Sequence, residues 1–461
     1  MKKLSTITTV LLIGSVFCYI SIFSGGCAQI GMPVGGPRDT IPPNLVQATP
    51  PNFSTNFKSN KISLLFDEYI QLDNPLKNVI VSPLPKKNPF IDFKLKTVTV
   101  KLFDTLKPNT TYSLQFGNTI KDLNEGNPLG NFDYVFSTGK SIDSLILEGD
   151  VFVAETGSVD TTLTILLHAD LTDSAVAKHR PDYITRPDRK GHFVFKFLHP
   201  GDYHIFAVKD EGGQFMYTSP LQLFAFYDSI VKPALTENAP IELYAFQAEK
   251  EAPKKSKPKA GEPLKFGSSL SGGIQDLLSP LFLSFNYPVE IDTSKIELTD
   301  TLYKKLPGTT ISLDSTKQLV TVQHAWAGGE KYNLIIDTVA ARDSLGKGLS
   351  KNDTLRFTVK NESEYGTIKL TFKNLEKYSS PLLQLVNDKG DVQTFSISGN
   401  VFEKKLIQPG TYHIQILEDT NHNGKWDTGN YYEKLQPEKV HRITETISIR
   451  ANWDNERDVV L

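Results

Sequence analysis

The stretch IQPGTYHIQILEDTNHNGKWD, residues 407–427, decides how the rest of the chain is read. A turn at Pro409-Gly410 leads into Tyr412-His-Ile-Gln-Ile-Leu417, which reads as a buried strand, and a tight loop rich in Asp and Asn follows. A partial copy, LHPGDYHIFAVKD, stands at residues 198–210. Both copies carry Pro-Gly-x-Tyr-His-Ile followed by Asp, and Tyr203 to Tyr412 is the same 209-residue step as Asp210 to Asp419. The chain therefore contains a duplication.

A length of 461 residues allows sizeable cores and several domains. The composition, 39% hydrophobic and 22% charged, is that of a folded soluble protein. Three Met and three Trp stand against 17 Tyr and 27 Phe, which with abundant Thr, Val and Ile leans towards strands. A net charge of −2 supplies no global field for nucleic acid, so no nucleic-acid partner is expected. The two cysteines, Cys18 and Cys27, both lie in the first 27 residues, so the folded body has no disulfide, no Cys-based metal site and no thiol nucleophile.

Lys2 and Lys3 precede an apolar run from Ile7 to Phe23, short for a ~20-residue membrane span and interrupted by Ser and Thr. Ser24-Gly25-Gly26-Cys27 then resembles the bacterial lipobox, with Ser24 where that motif usually has an aliphatic residue. The resemblance implies a signal peptide over residues 1–26 and lipidation of Cys27. Several acyl chains such as palmitate would give a stable membrane anchor. Neither Ala28 nor Gln29 is the Asp that retains some lipoproteins at the inner membrane. The expected location is the outer membrane, at its periplasmic face or the cell surface. Residues 27–43 read as a flexible Gly- and Pro-rich tether.

Residues 44–140 read as all-β. Runs at Ile62-Ser-Leu-Leu-Phe66, Thr97-Val-Thr-Val-Lys-Leu102, Tyr112-Ser-Leu-Gln-Phe116 and Phe132-Asp-Tyr-Val-Phe136 are separated by Pro- and Asn-rich turns, the pattern of a β-sandwich. Gly35-Gly-Pro-Arg-Asp39, Phe66-Asp-Glu-Tyr69, Asn109-Thr-Thr-Tyr112, Ile120-Lys-Asp122 and Phe136-Ser-Thr-Gly139 resemble the Ig-like lipoproteins of Bacteroidetes and the bacterial Ig-like module of surface-layer proteins. Residues 144–247 continue in strands at Thr161-Thr-Leu-Thr-Ile-Leu-Leu167, His192-Phe-Val-Phe-Lys-Phe197 and Tyr203-His-Ile-Phe-Ala-Val208; with the Pro-Gly turn they are similar to transthyretin- or prealbumin-like modules. Residues 248–262, AEKEAPKKSKPKAGE, hold five Lys and no large apolar residue, and read as a flexible linker. Residues 263–360 repeat the Ig-like pattern, Tyr332 standing 220 residues after Tyr112, and residues 363–461 repeat the transthyretin-like one. The expected fold is all-β: tandem β-sandwiches in an A-B-A′-B′ arrangement behind a lipoprotein signal peptide.

Catalytic patterns are lacking: there is no Gly-x-Ser-x-Gly elbow, no His-Glu-x-x-His and no phosphate or dinucleotide loop. His204 and His413 fall on the outward positions of their strands, and Asp67 and Glu68, being neighbours on a strand, face opposite sides. The exception is Asp419-Thr-Asn421-His-Asn423-Gly424-Lys425-Trp426-Asp427. Side-chain oxygens at places 1, 3, 5 and 9, Gly at 6 and the Lys425 carbonyl at 7 match the first nine places of an EF-hand-type calcium loop. The twelfth place holds Asn430 rather than Glu, and Glu433 is the nearby carboxylate that could reach in. A structural Ca²⁺ of extracellular-module affinity and a metal-free Asn-Gly hairpin turn are both open at this point. In the first copy, Asp210-Glu-Gly-Gly-Gln lacks the oxygen ladder and is expected not to bind.

The expected function is that of a non-catalytic, membrane-anchored envelope lipoprotein acting as a binding, adhesion or assembly scaffold, with an envelope protein or glycan as partner. The alternative is an accessory or carbohydrate-processing subunit of a secreted enzyme system, which a deep pocket with paired carboxylates would favour.

Overall fold

Each of the quoted alternating runs forms a strand in the computed structural model, which describes residue 14 and residues 38–210, 212–235, 241–248 and 262–461. Cys27, nearly all of the signal segment and residues 249–261 of the Lys/Pro stretch lie outside the described residues. The alternation sets which side is buried. In the strand Lys61–Phe66, Ile62, Leu64 and Phe66 are buried while Lys61 and Leu65 are exposed. The chain is nearly all β, in tandem sandwiches.

Two compact units are formed. The first takes residues through 80 together with 87–105 and 114–135. It carries the four-stranded sheet Leu45–Thr49, Lys61–Phe66, Thr97–Lys101, Phe90–Lys94, in that order, and the antiparallel pair Ile70–Leu72 with Ile120–Asp122. Ile62, Leu64, Val98, Val100, Leu114 and Phe116 form its interior. The last residues of the expected tether are tied to this unit: Arg38 donates to the Glu125 carbonyl at 2.9 Å, and Asn127 Nδ2 to that of Asp39 at 3.0 Å.

The second unit takes residues 81–86, 106–113 and 136–461. Hydrogen bonds explain why the two short segments belong with it. Leu84 N–H donates to the Asp182 carbonyl at 2.7 Å, and Asp143 N–H to Thr111 Oγ1 at 2.9 Å.

Within this unit the duplication is structural as well as sequential. In the second module Leu145–Val153 pairs antiparallel with His192–Leu198 and parallel with Ile241–Ala245. In the fourth, Gly366–Lys373 pairs antiparallel with Val401–Ile407 and parallel with Asp454–Val460. Four-stranded sheets cover both: Tyr183–Thr185, Thr164–His168, His204–Val208, Phe224–Phe226 in one, and Val392–Ser396, Pro381–Asn387, Gly410–Glu418, Val440–Ile449 in the other. Leu147, Val151, Phe193, Phe195, Ile165 and Ile205 fill the first sandwich, and Ile368, Leu370, Phe372, Leu385, Ile414 and Ile416 the second. One expected strand starts late. Asp160 Oδ1 accepts from Thr162 N–H at 2.9 Å and from its hydroxyl at 2.6 Å, an Asx turn that delays the strand to Thr164.

The third module repeats the plan of the first, with Phe266–Ser268, Leu281–Phe285, Leu319–Gln323 and Thr310–Leu313 as its four-stranded sheet. Trp326 donates to the Ser279 carbonyl at 2.9 Å and packs edge-on against Tyr332 and Phe357.

Candidate functional site

The strand Gly410–Glu418 runs directly into the Asp/Asn loop, and its register fixes where the loop begins. Asp419 N–H donates to the Ser380 carbonyl at 3.2 Å, and its carboxylate is turned in, only 3% exposed. That carboxylate accepts from Asn423 N–H at 3.1 Å and Gly424 N–H at 2.9 Å. Gly424 at φ 77° and His422 at φ 61° supply the left-handed turns that bend the chain around it. Asn423 Oδ1 accepts from Lys425 N–H at 2.7 Å, and the amides of Asn421 and Asn423 both donate to Asp427 Oδ2, at 2.6 and 2.5 Å. Four of the five residues expected from the sequence are thus gathered through their side chains, and Lys425 joins through its backbone.

The residues that follow the loop point elsewhere. Asn430, at the twelfth place, serves its own turn: its Oδ1 accepts from Tyr432 N–H at 3.1 Å and caps the single turn Tyr431–Glu433. Glu433 does not reach in either, because that turn leaves it on the exposed side. The carboxylate that closes the loop is Glu438, which is 6% exposed. It accepts from Thr420 N–H at 2.7 Å, Thr420 hydroxyl at 3.0 Å and Asp427 N–H at 3.2 Å, while its own carbonyl accepts from Trp426 Nε1 at 2.8 Å. Nothing in the local sequence marks it, since it lies beyond a turn and is brought back only by the next strand. Among the described residues no group of three or more His, Cys, Asp or Glu side chains is placed to hold a metal ion. The loop's oxygen set is two carboxylates and two amides.

Beyond the loop, residues 428–438 leave their own module and enter the second. Tyr431 is 5% exposed, its ring centroid 5.1 Å from those of both Phe224 and Phe226 and 5.9 Å from that of Phe206. Its hydroxyl donates to the Asp173 carbonyl at 2.8 Å, and burial raises its pKa to about 12. Lys434 lies over the Tyr431 ring at 4.4 Å and pairs with the Asp173 carboxylate at 2.6 Å, holding that carboxyl below its ordinary range. Gln436 donates to the Phe226 carbonyl at 3.1 Å and Thr428 to that of Gln247 at 2.9 Å. The backbones also meet: Val440 N–H donates to the Ala154 carbonyl at 3.0 Å, and a Cβ at Gly157 would stand 2.4 Å from the Val440 oxygen. The arrangement is a plug in an aromatic socket, and it fastens two modules that are separated in sequence by a third.

The remaining singled-out residues show no reactive geometry. Asp67 accepts from the backbone and side chain of Asn44 at 2.8 and 3.2 Å, which lowers its pKa, whereas burial raises that of Glu68. His204 Nε2 lies 3.2 Å from the Leu171 carbonyl and His413 Nδ1 3.3 Å from Arg442, both at the sheet surface. No helix among the described residues is long and apolar enough to cross a membrane.

Residues 39–138 match the family model described as a bacterial Ig-like domain. No curated protein matches the chain. Among solved structures, the major pilin subunit BcpA of Bacillus cereus aligns at 9% identity and TM-score 0.18, covering 69% of this chain and 99% of its own. The Bacillus anthracis TIE protein aligns at 10% identity and TM-score 0.18, covering 93% and 75%. The N-terminal part of the bacterial S-layer protein SbsC aligns at 16% identity and TM-score 0.16, covering 43% and 45%. At these TM-scores the structural likenesses carry no argument about what the chain does.

Proposed function

We propose that this chain is a non-catalytic scaffold of the bacterial cell envelope, anchored in the outer membrane by lipid on Cys27 and built to bind or assemble. The bacterial Ig-like match over residues 39–138 supports a surface role. The observation that carries the reading is the plug and socket. Loops at the ends of a sandwich are where such a scaffold holds a ligand or a reacting pocket, and here the loop of the fourth module that carries Tyr431 is spent on a sheet face of the second. A molecule that locks non-neighbouring modules together gains stiffness and a fixed spacing, which serve display and assembly. The same reading gives the 419–427 loop a structural Ca²⁺. Asp419, Asn421, Asn423, Asp427 and the Lys425 carbonyl would hold it, and rotating either amide by half a turn aims its oxygen at the point Asp427 already faces. The ion would cross-link the loop that carries Tyr431.

The anchor is tested by growing cells on an alkyne fatty-acid analogue. The wild type takes up label and sediments with membranes; Cys27→Ser does neither. Continued labelling of Cys27→Ser overturns the anchor.

A further inference from the structure

The outward face of the first module's four-stranded sheet holds a shallow groove of about 550 Å³. Lys61, Lys94 and Lys96 line it together with the hydroxyls of Ser63, Thr97 and Thr99. The register puts these side chains on one face: Ser63 opposite Thr99, Leu65 opposite Thr97, and Lys94 opposite Thr97, above fully buried Ile62, Leu64, Val98 and Val100. No carboxylate lines the groove; of the acids beside it, Asp92 turns Oδ1 to Phe93 N–H at 2.8 Å and Asp67 turns its carboxylate to Asn44. The ammonium groups of Lys61 and Lys94 pair with no carboxylate among the described residues. Lys96 is held in place by the Asp67 carbonyl at 2.5 Å and the Tyr69 ring at 5.5 Å. Tyr69 and Leu65 leave apolar surface open in the groove, at 50% and 36% exposure.

The fold does not demand these residues. The matched register of the third module places Phe282 where Ser63 stands, Ser284 for Leu65 and Gln323 for Lys101, and Asp314 follows the strand where Lys94 ends its own. Asp314 spends its carboxylate on its own turn, accepting from Thr316, Gln318 and Leu319 N–H. One copy of the sheet thus has Phe, Ser, Gln and Asp at these places and no cation, while the other gathers lysines, hydroxyls and an aromatic edge.

We propose that this groove binds an acidic polysaccharide, its uronate carboxylates against Lys61, Lys94 and Lys96 and a sugar ring against Tyr69. Ammonium groups answer carboxylates, the hydroxyls answer sugar hydroxyls, and the open, shallow form admits a chain that passes through it. Exposed ion pairs are individually weak, so recognition works by repetition along the polymer. The proposal deepens the scaffold reading by naming its partner class.

The test is affinity electrophoresis of the full chain in gels containing polygalacturonate, each mobility referred to a polymer-free gel. Polygalacturonate slows the wild type and neutral dextran does not; raising the ionic strength removes the effect. Lys61→Gln/Lys94→Gln/Lys96→Gln loses most of the retardation with an unchanged melting curve. Lys331→Gln/Lys347→Gln/Lys351→Gln, the same charge change on the third module, keeps it. An unretarded wild type, equal losses in the two triple variants, or stronger binding to phosphatidylglycerol vesicles or single-stranded DNA than to polygalacturonate overturns the proposal. These outcomes are independent of the Cys27 labelling, so a failed groove and a failed anchor are told apart.

Discussion

The second and fourth modules share a strand order and a register, and they differ in what one sheet face presents. In the second, Leu166 lies opposite Phe206 and Phe206 opposite Phe226, a surface of apolar rings. At the matched places of the fourth stand Gln384 opposite Gln415 and Gln415 opposite Arg442. The loops diverge in the same sense. Asp210 closes a short loop, accepting from Gly212 N–H at 2.9 Å and from Phe215 N–H, and delivers Tyr217 to stack on Phe224 at 4.0 Å. The loop after Asp419 is braced by Glu438 and delivers Tyr431 outward. The two duplicated modules are complementary: one carries the socket, the other its plug.

Tyr431→Ala takes the plug out of the socket. It removes a buried ring with its hydroxyl bond and leaves the socket open, at an expected cost of about 3–5 kcal/mol by urea denaturation of the full chain. Tyr431→Phe loses only the hydroxyl bond and costs about 1 kcal/mol. A cost below that for the alanine variant would mean that the two modules do not depend on each other.

Next in size is an effect of pH that belongs to the socket side alone. His168 is 1% exposed on the strand Thr164–His168, and burial depresses its pKa from 6.5 to about 4. Below 6.5 the unfolded chain takes up a proton that the folded one refuses, so stability falls as pH drops towards 4, by up to roughly 3 kcal/mol. The matched residue of the fourth module is Val386, opposite His413 as His168 is opposite His204. His168→Val should therefore flatten the loss between pH 6.5 and 4 as followed by chemical denaturation. An unchanged slope would place the acid sensitivity elsewhere.

The smallest expected effect separates the two loops. With an extracellular-module affinity, 2 mM Ca²⁺ stabilises the full chain by about 1 kcal/mol, a melting shift of a few degrees that chelation reverses. Asp419→Ala should abolish the shift and Asp210→Ala should leave it. A melting curve indifferent to Ca²⁺ in the wild type would leave the 419–427 stretch as a hydrogen-bonded turn.

Strand positions and the duplication were legible in the sequence because both are local: alternation declares a half-buried strand, and Pro-Gly-x-Tyr-His-Ile repeats at a fixed step. Asp419, Asn421, Asn423 and Asp427 were legible for the same reason, their spacing being that of one turn. Glu438 and Tyr431 were not. Each acts on a partner set by tertiary pairing, Glu438 through the return strand Val440–Ile449 and Tyr431 through rings more than two hundred residues earlier. The direction of Glu433 was not legible either, because the single turn Tyr431–Glu433 that exposes it is set by the Asn430 cap and by the burial of Tyr431 in a distant module. The lysines of the groove were visible as residues, but only pairing shows Lys61, Lys94 and Lys96 side by side.

The parallel pairing of the first and last strands in these modules has a mechanical consequence. Leu145–Val153 lies beside Ile241–Ala245, and Gly366–Lys373 beside Asp454–Val460 over the seven pairs from Thr367–Asp454 to Lys373–Val460. Tension applied at the start of one strand and the end of the other slides the two past each other, loading all of their hydrogen bonds at once instead of peeling them singly. Rupture under load is set by the unfolding rate rather than by equilibrium stability. A module tied in this way resists being pulled lengthwise far better than being pried open from one edge.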